Sequence, residues 1–80
     1  MQITIRLLAT YRRYLPPGHD EQDGYAQDVA PGTTAGEVLA SLPLLPHEII
    51  TFLVNGRHAE RSQVLQAGDT LTIFPPAGGG

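Results

Sequence analysis

Residues 2–8 open with alternation. Ile3, Ile5 and Leu7 fall on one side and Gln2, Thr4 and Arg6 on the other, which is the two-residue period of a half-buried strand. Leu8 breaks the pattern by setting a large apolar group on the polar side. Tyr11, Tyr14 and Leu15 then recur at i, i+3 and i+4, with Arg12 and Arg13 outward, so residues 9–15 read as a short helical turn. Pro16-Pro17-Gly18 stops it. A polar loop with Asp20, Glu21 and Asp23 leads to a weaker strand over 25–30, with Tyr25, Gln27 and Val29 on one side. Paired with the first strand it makes a hairpin with a wide loop.

After Pro31-Gly32, Thr33 or Thr34 is positioned to cap a helix, and Glu37 follows Thr34 by three residues, the spacing of a capping box. Val38, Leu39 and Leu42 form its buried stripe and Pro43 ends it. Leu44, Leu45 and Pro46 cross over, with one more turn predicted over 47–50. Residues 51–54 read as a strong strand. Asn55-Gly56 is the best short hairpin signal of the chain, since both residues tolerate positive φ, and 57–60 is the return strand. Val64 and Leu65 anchor an irregular stretch. Gly68-Asp69 turns into the last strand, 70–74, and Pro75-Pro76 stops pairing because neither can donate a backbone hydrogen bond.

Two hairpins around one main helix predict a mixed sheet of four to five strands, with the first and last strands parallel at its centre. This is a two-layer α+β domain of the ubiquitin-like β-grasp type. Residues 1–75 form the domain and 76–80 a flexible tail. Ile3, Ile5, Leu7, Val29, Leu53, Leu71 and Ile73 are expected to face Val38, Leu39 and Leu42. On the open face stand Leu8 and Phe74, beside Arg6 and Thr72, with Phe52 a further candidate. Scattered surface apolar residues are ordinary. These gather at the root of the tail, where an aromatic anchor edged by arginine suits a partner.

Composition narrows the chemistry. Eighty residues without Cys must fold on one small apolar core, and thiolate metal sites, disulfides and a Cys nucleophile are excluded. No apolar run approaches a membrane span, and the opening residues lack the basic-then-apolar order of a signal peptide, so a cytoplasmic protein is expected. A net charge of -3 with no Lys and few aromatics argues against nucleic acid. His19, His47 and His58 have no metal-ligand spacing. The acidic triplet lacks the Gly and closing Glu of a calcium loop. Ser41 and Ser62 lack the context of a nucleophile elbow. No catalytic site, metal or bound cofactor is expected in the domain itself.

The segment Phe74-Pro75-Pro76-Ala77-Gly78-Gly79-Gly80 has nothing to pack back with. A glycine-ended arm can enter a channel too narrow for any Cβ. An α-carboxylate is ionised and a poor electrophile at neutral pH, so chemistry at Gly80 needs activation by another protein, for example as an acyl-adenylate. The tail then reads as a covalent carrier arm. A carrier without Lys also lacks side-chain amines that its own activated end could modify.

Val54-Asn55-Gly56, Leu65-Gln66-Ala67-Gly68-Asp69, Ile73-Phe74-Pro75-Pro76 and the final Gly79-Gly80 together resemble the sulfur-carrier proteins of the β-grasp superfamily. The similarity is greatest to the small subunit of molybdopterin synthase, in which Phe-Pro-Pro often precedes the glycine pair. The resemblance implies that an E1-like adenylating enzyme activates Gly80 with ATP and magnesium. A sulfur donor, such as a cysteine desulfurase or rhodanese, would convert it to a thiocarboxylate. The tail would then enter the large synthase subunit and give its sulfur to the pterin precursor. Gly79 and Gly80 match the family's functional residues, and Phe74 and Pro75 its partner-contacting segment. Gly78 departs from the more usual Thr, Ala or Ser. The same tail also suits a ubiquitin-like modifier joined through Gly80 to target lysines, or a carrier for thiamine or another sulfur pathway.

Overall fold

The computed structural model describes residues 1–20, 22–42 and 51–75. The expectations for Glu21, for the crossover and turn over 43–50, and for the tail over 76–80 lie outside the described residues, as does that for the Arg12 side chain.

The elements run β1 (Gln2–Leu7), a 3-10 helix (Ala9–Tyr14), β2 (Tyr25–Asp28), α1 (Ala35–Ser41), β3 (Thr51–Val54), β4 (Arg57–His58) and β5 (Thr70–Phe74). The sheet is five-stranded in the order β2-β1-β5-β3-β4. β1 and β5 are parallel, with Ile5 beside Leu71 and Leu7 beside Ile73, and all other pairings are antiparallel. This is the β-grasp arrangement predicted by the element order.

Alternation along β1 and β5 buries Ile3, Ile5, Leu7, Leu71 and Ile73 on one face, against Ala35, Val38 and Leu39 of α1. Tyr11 of the 3-10 helix and Leu65 join the same core, and Leu42, Leu15 and Val29 pack at its margin. The interior is thus a single layer of apolar side chains between sheet and helix.

The helix begins as its sequence dictates. Thr34 Oγ1 accepts from the Glu37 N–H, and Glu37 Oε1 accepts from the Thr34 N–H at 3.0 Å, a reciprocal cap. The two amides before Glu37 go elsewhere: Ala35 N–H donates to the Gln63 carbonyl and Gly36 N–H to the Arg61 carbonyl. The irregular stretch after β4 therefore completes the start of α1, and a Cβ on Gly36 would sit 3.1 Å from the Arg61 oxygen. At the other end Leu42 is extended, with ψ 154, as expected of a residue before Pro43.

Three expectations need correction. Leu53 is not a core residue. β3 meets β5 with Phe52 beside Ile73 and Val54 beside Leu71, which turns Phe52 and Val54 inward and Leu53 to the open face. Phe52, a candidate for that face, is instead 8% exposed within the core. Val64 is 54% exposed; its backbone bridges Thr34, and only Leu65 is anchored by its side chain. The remaining differences are of length: β2 and β4 are shorter than the patterns suggested, and the turn after β1 is 3-10 in geometry.

Candidate functional site at the root of the tail

The chain reaches its final segment along the middle of the sheet. β5 is held on one side by β1 and on the other by β3, up to the pair Phe74–Thr51. One further bond extends the β1 side: Leu8 N–H donates to the Ile73 carbonyl at 2.9 Å. Ala9 then turns sharply with φ 53, a left-handed conformation that favours glycine and costs about 1 kcal/mol in other residues. Tyr11 N–H closes that turn on the Leu8 carbonyl at 3.0 Å. Two neighbours thus hold the last strand to its end at Phe74, just before Pro75.

Pairing register gives the composition of the open face around this strand end. Arg6 lies beside Thr72, Thr72 beside Leu53, and Thr51 beside Phe74. Leu8 follows Arg6 along the same side. Arg6, Leu8, Leu53, Phe74 and Pro75 are half-buried, and Thr72 is 7% exposed between its larger neighbours. Leu8, Leu53 and Phe74 are absent from the core cluster under the helix, so their apolar surface belongs to the open face. The structure therefore brings together Arg6, Leu8, Phe74 and Pro75 as the sequence suggested. It adds Leu53 and Thr51, which sequence reasoning missed. One polar residue in Thr51-Phe52-Leu53-Val54 does not set the parity of the three apolar ones; register with β5 does.

The stem of Arg6 lies against Gly24. Gly24 is buried with φ +69, and a Cβ there would lie 2.3 Å from the Ile5 oxygen and 2.9 Å from Arg6 Cγ. The polar loop is thus folded directly onto β1 and the Arg6 stem. Within that loop Asp20 Oδ1 accepts from the Asp23 N–H, Gly24 N–H donates to the Asp20 carbonyl, and His19 Nδ1 stands 3.1 Å from the Gly24 oxygen. The expected acidic cluster is in part a turn that closes on itself.

Tyr25, edge-on to His19, has its phenol pKa pushed above 10.0 by burial. It lies opposite Ile5 on the core side of the sheet, away from the patch. Among the described residues no group of three or more His, Cys, Asp or Glu is placed to hold a metal ion, and no helix is long and apolar enough to cross a membrane. His58 and His19 are exposed and well separated in the fold; His47, Pro76, Ala77, Gly78, Gly79 and Gly80 lie outside the described residues. Chemically, the described patch offers an apolar platform, with Arg6 beside Thr72 in register.

The profile of the ThiS family matches residues 5–80. Among solved structures, SAMP1 from Haloferax volcanii superposes with a TM-score of 0.72 at 25% identity, over 100% of both chains. The small archaeal modifier protein 1 of H. volcanii gives 0.70 at 24%, over 95% of this chain and 98% of that one. The H. volcanii HVO 2177 protein gives 0.72 at 26%, over 100% of this chain and 87% of its own. No curated protein gives a significant match.

Proposed function

The chain belongs to the ThiS family, and from that premise we propose that it carries sulfur as a thiocarboxylate on Gly80, as the small subunit of a molybdopterin synthase. The observation that carries this reading is the reach of the family match: it runs through the tail to Gly80 and is not confined to the domain. The end of β5, held by both neighbours, and the apolar face around it support the same reading, because an arm that works inside a partner needs a handle that the partner can grip.

In this reading an E1-like adenylating enzyme docks on the face around Phe74. It joins the Gly80 carboxylate to AMP, using ATP and magnesium that it holds itself. A cysteine desulfurase or rhodanese presents a persulfide whose outer sulfur displaces AMP, and a second thiol cleaves the resulting acyl disulfide, leaving the thiocarboxylate and a disulfide. The large synthase subunit then receives the tail, and Gly79 and Gly80 pass through a channel that admits no Cβ. Pro75, Pro76, Ala77 and Gly78 belong to the segment that the partners contact. The work takes place in the cytoplasm.

A second reading is favoured by one observation: the shared fold with a protein described as a small archaeal modifier. Here an amine of another protein, not sulfur, displaces the activating group. Mass spectrometry of chain isolated without reductant separates the two. Replacement of one oxygen by sulfur at Gly80 is the expected result for a carrier. Conjugates that survive denaturation and leave a Gly-Gly remnant on lysine identify a modifier. Undiminished cofactor synthesis after removal of Gly79 and Gly80, with neither product seen, would sink both.

A further inference from the structure

Asn55 and Gly56 link β3 to β4 with both residues in the left-handed region, φ 52 and 80. The Asn55 side chain is used at both ends. Its Nδ2 donates to Asp69 Oδ1 at 2.9 Å, and its Oδ1 accepts from the Thr70 N–H at 2.9 Å. The Asn55 N–H donates to the Thr70 carbonyl at 2.8 Å, and the other Asp69 oxygen accepts from the Gln66 N–H at 2.8 Å. One primary amide thus ties the β3–β4 hairpin to the turn that starts β5. The place needs a donor and an acceptor on the same carbon, and a carboxylate cannot donate.

Asn55 is also the only asparagine of the chain, and glycine follows it. Gly56 is exposed, and no heavy atom lies within 4 Å of the place a Cβ would take, so the turn is open to solvent on that side and carries no side chain beside its nitrogen. We infer that Asn55 is a site of spontaneous deamidation, which the native latch restrains and whose acidic product Asp69 repels. In the reaction the Gly56 nitrogen gives up its proton and bonds to Asn55 Cγ. The Cγ–Nδ2 bond breaks, and Nδ2 leaves as ammonia with that proton. One water then opens the cyclic imide at either carbonyl, giving aspartate or isoaspartate. No oxidant or enzyme is needed.

In the folded chain Nδ2 and Oδ1 are both engaged, so Cγ cannot swing onto the Gly56 nitrogen until the latch opens. Deamidation therefore runs through the locally opened state. Its product cannot close the latch again: where an amide met Asp69 at 2.9 Å, two carboxylates would meet, with the donor gone and like charges in contact.

The test ages the full chain at mildly alkaline pH, folded in buffer and unfolded in urea, and scores residue 55 by peptide mapping. Conversion is expected to be slower in the folded chain by about tenfold or more; equal rates overturn the proposal. In parallel, Asn55→Asp is expected to lower the folding equilibrium constant by about tenfold or more. Adding Asp69→Asn is expected to recover most of that loss, because the amide at 69 can donate to the carboxylate at 55. An Asn55→Asp chain as stable as the parent, or a double variant no better than the single one, overturns the repulsion. Where Asn55→Asp does not fold, recovery of cooperative unfolding in the double variant gives the same answer.

Discussion

Gly24 has no side chain because two atoms already fill the space. The Ile5 oxygen at 2.3 Å and Arg6 Cγ at 2.9 Å would meet any Cβ, and φ +69 adds a second objection. Gly24→Ala is therefore expected to cost about 2 kcal/mol or more, measured by urea unfolding, and to disturb the placement of Arg6. Tyr25 makes a different kind of statement. Burial raises its pKa above 10.0, so the folded chain holds that proton more tightly than the unfolded one. Stability from this source is fully present below about pH 10 and is lost as pH rises through the higher folded value. Unfolding curves on either side of about pH 10 are expected to show the decline, and Tyr25→Phe to show less of it; an unchanged slope in that variant would refute the assignment. Neither residue advertised its role in the sequence. Gly24 looked like one loop glycine among several, and only the contact with β1 explains it. Tyr25 was legible as a strand residue, but its burial depends on tertiary packing.

At the scale of elements, sequence was informative wherever a local rule decides. Thr34 and Glu37 form the capping box their spacing announced, and Asn55-Gly56 makes the turn its φ preferences require. It was less informative where a short segment must choose a face. The four residues of β3 carry three apolar side chains, so hydrophobicity alone does not say which parity goes inward. Register with β5 does: Phe52 joins Ile73, and Leu53 goes to the other side. The two substitutions separate accordingly. Phe52→Ala is expected to destabilise by about 3–5 kcal/mol as a core truncation, and Leu53→Ala by clearly less, with its cost appearing in partner binding. Equal losses of stability from both, measured by denaturant midpoints, would contradict the register.

At the scale of the molecule, the fold was legible because element order and length leave few ways to close a sheet around one helix. The candidate site was legible in part. Phe74, Arg6 and Leu8 were recoverable from the parity of β1 and β5. Leu53 was not, for the reason just given, and Gly79 and Gly80 lie outside the described residues. The expected behaviour of the whole follows from a face separated from its core. If the proposed function holds, Phe74→Ala weakens binding to the proposed activating enzyme or synthase subunit by about tenfold or more, by calorimetry, while the domain stays folded. Retained affinity would remove Phe74 from the interface, and loss of folding would assign it to the core.

The parallel pairing of β1 and β5 also has a consequence in time. Ile5 and Leu71, side by side in the sheet, lie far apart in sequence and are made at well-separated moments of synthesis. While a ribosome works through the helix and the second hairpin, β1 has β2 but lacks its inner neighbour. Pairings of such long sequence separation form late and slowly. A nascent chain halted before residue 70 is thus left without its central strand, and it exposes Ile3, Ile5 and Leu7 to whatever chaperone or protease is near. The strand that completes the sheet is also the one that carries Phe74, so an incompletely made copy lacks both the closed core and the full open face.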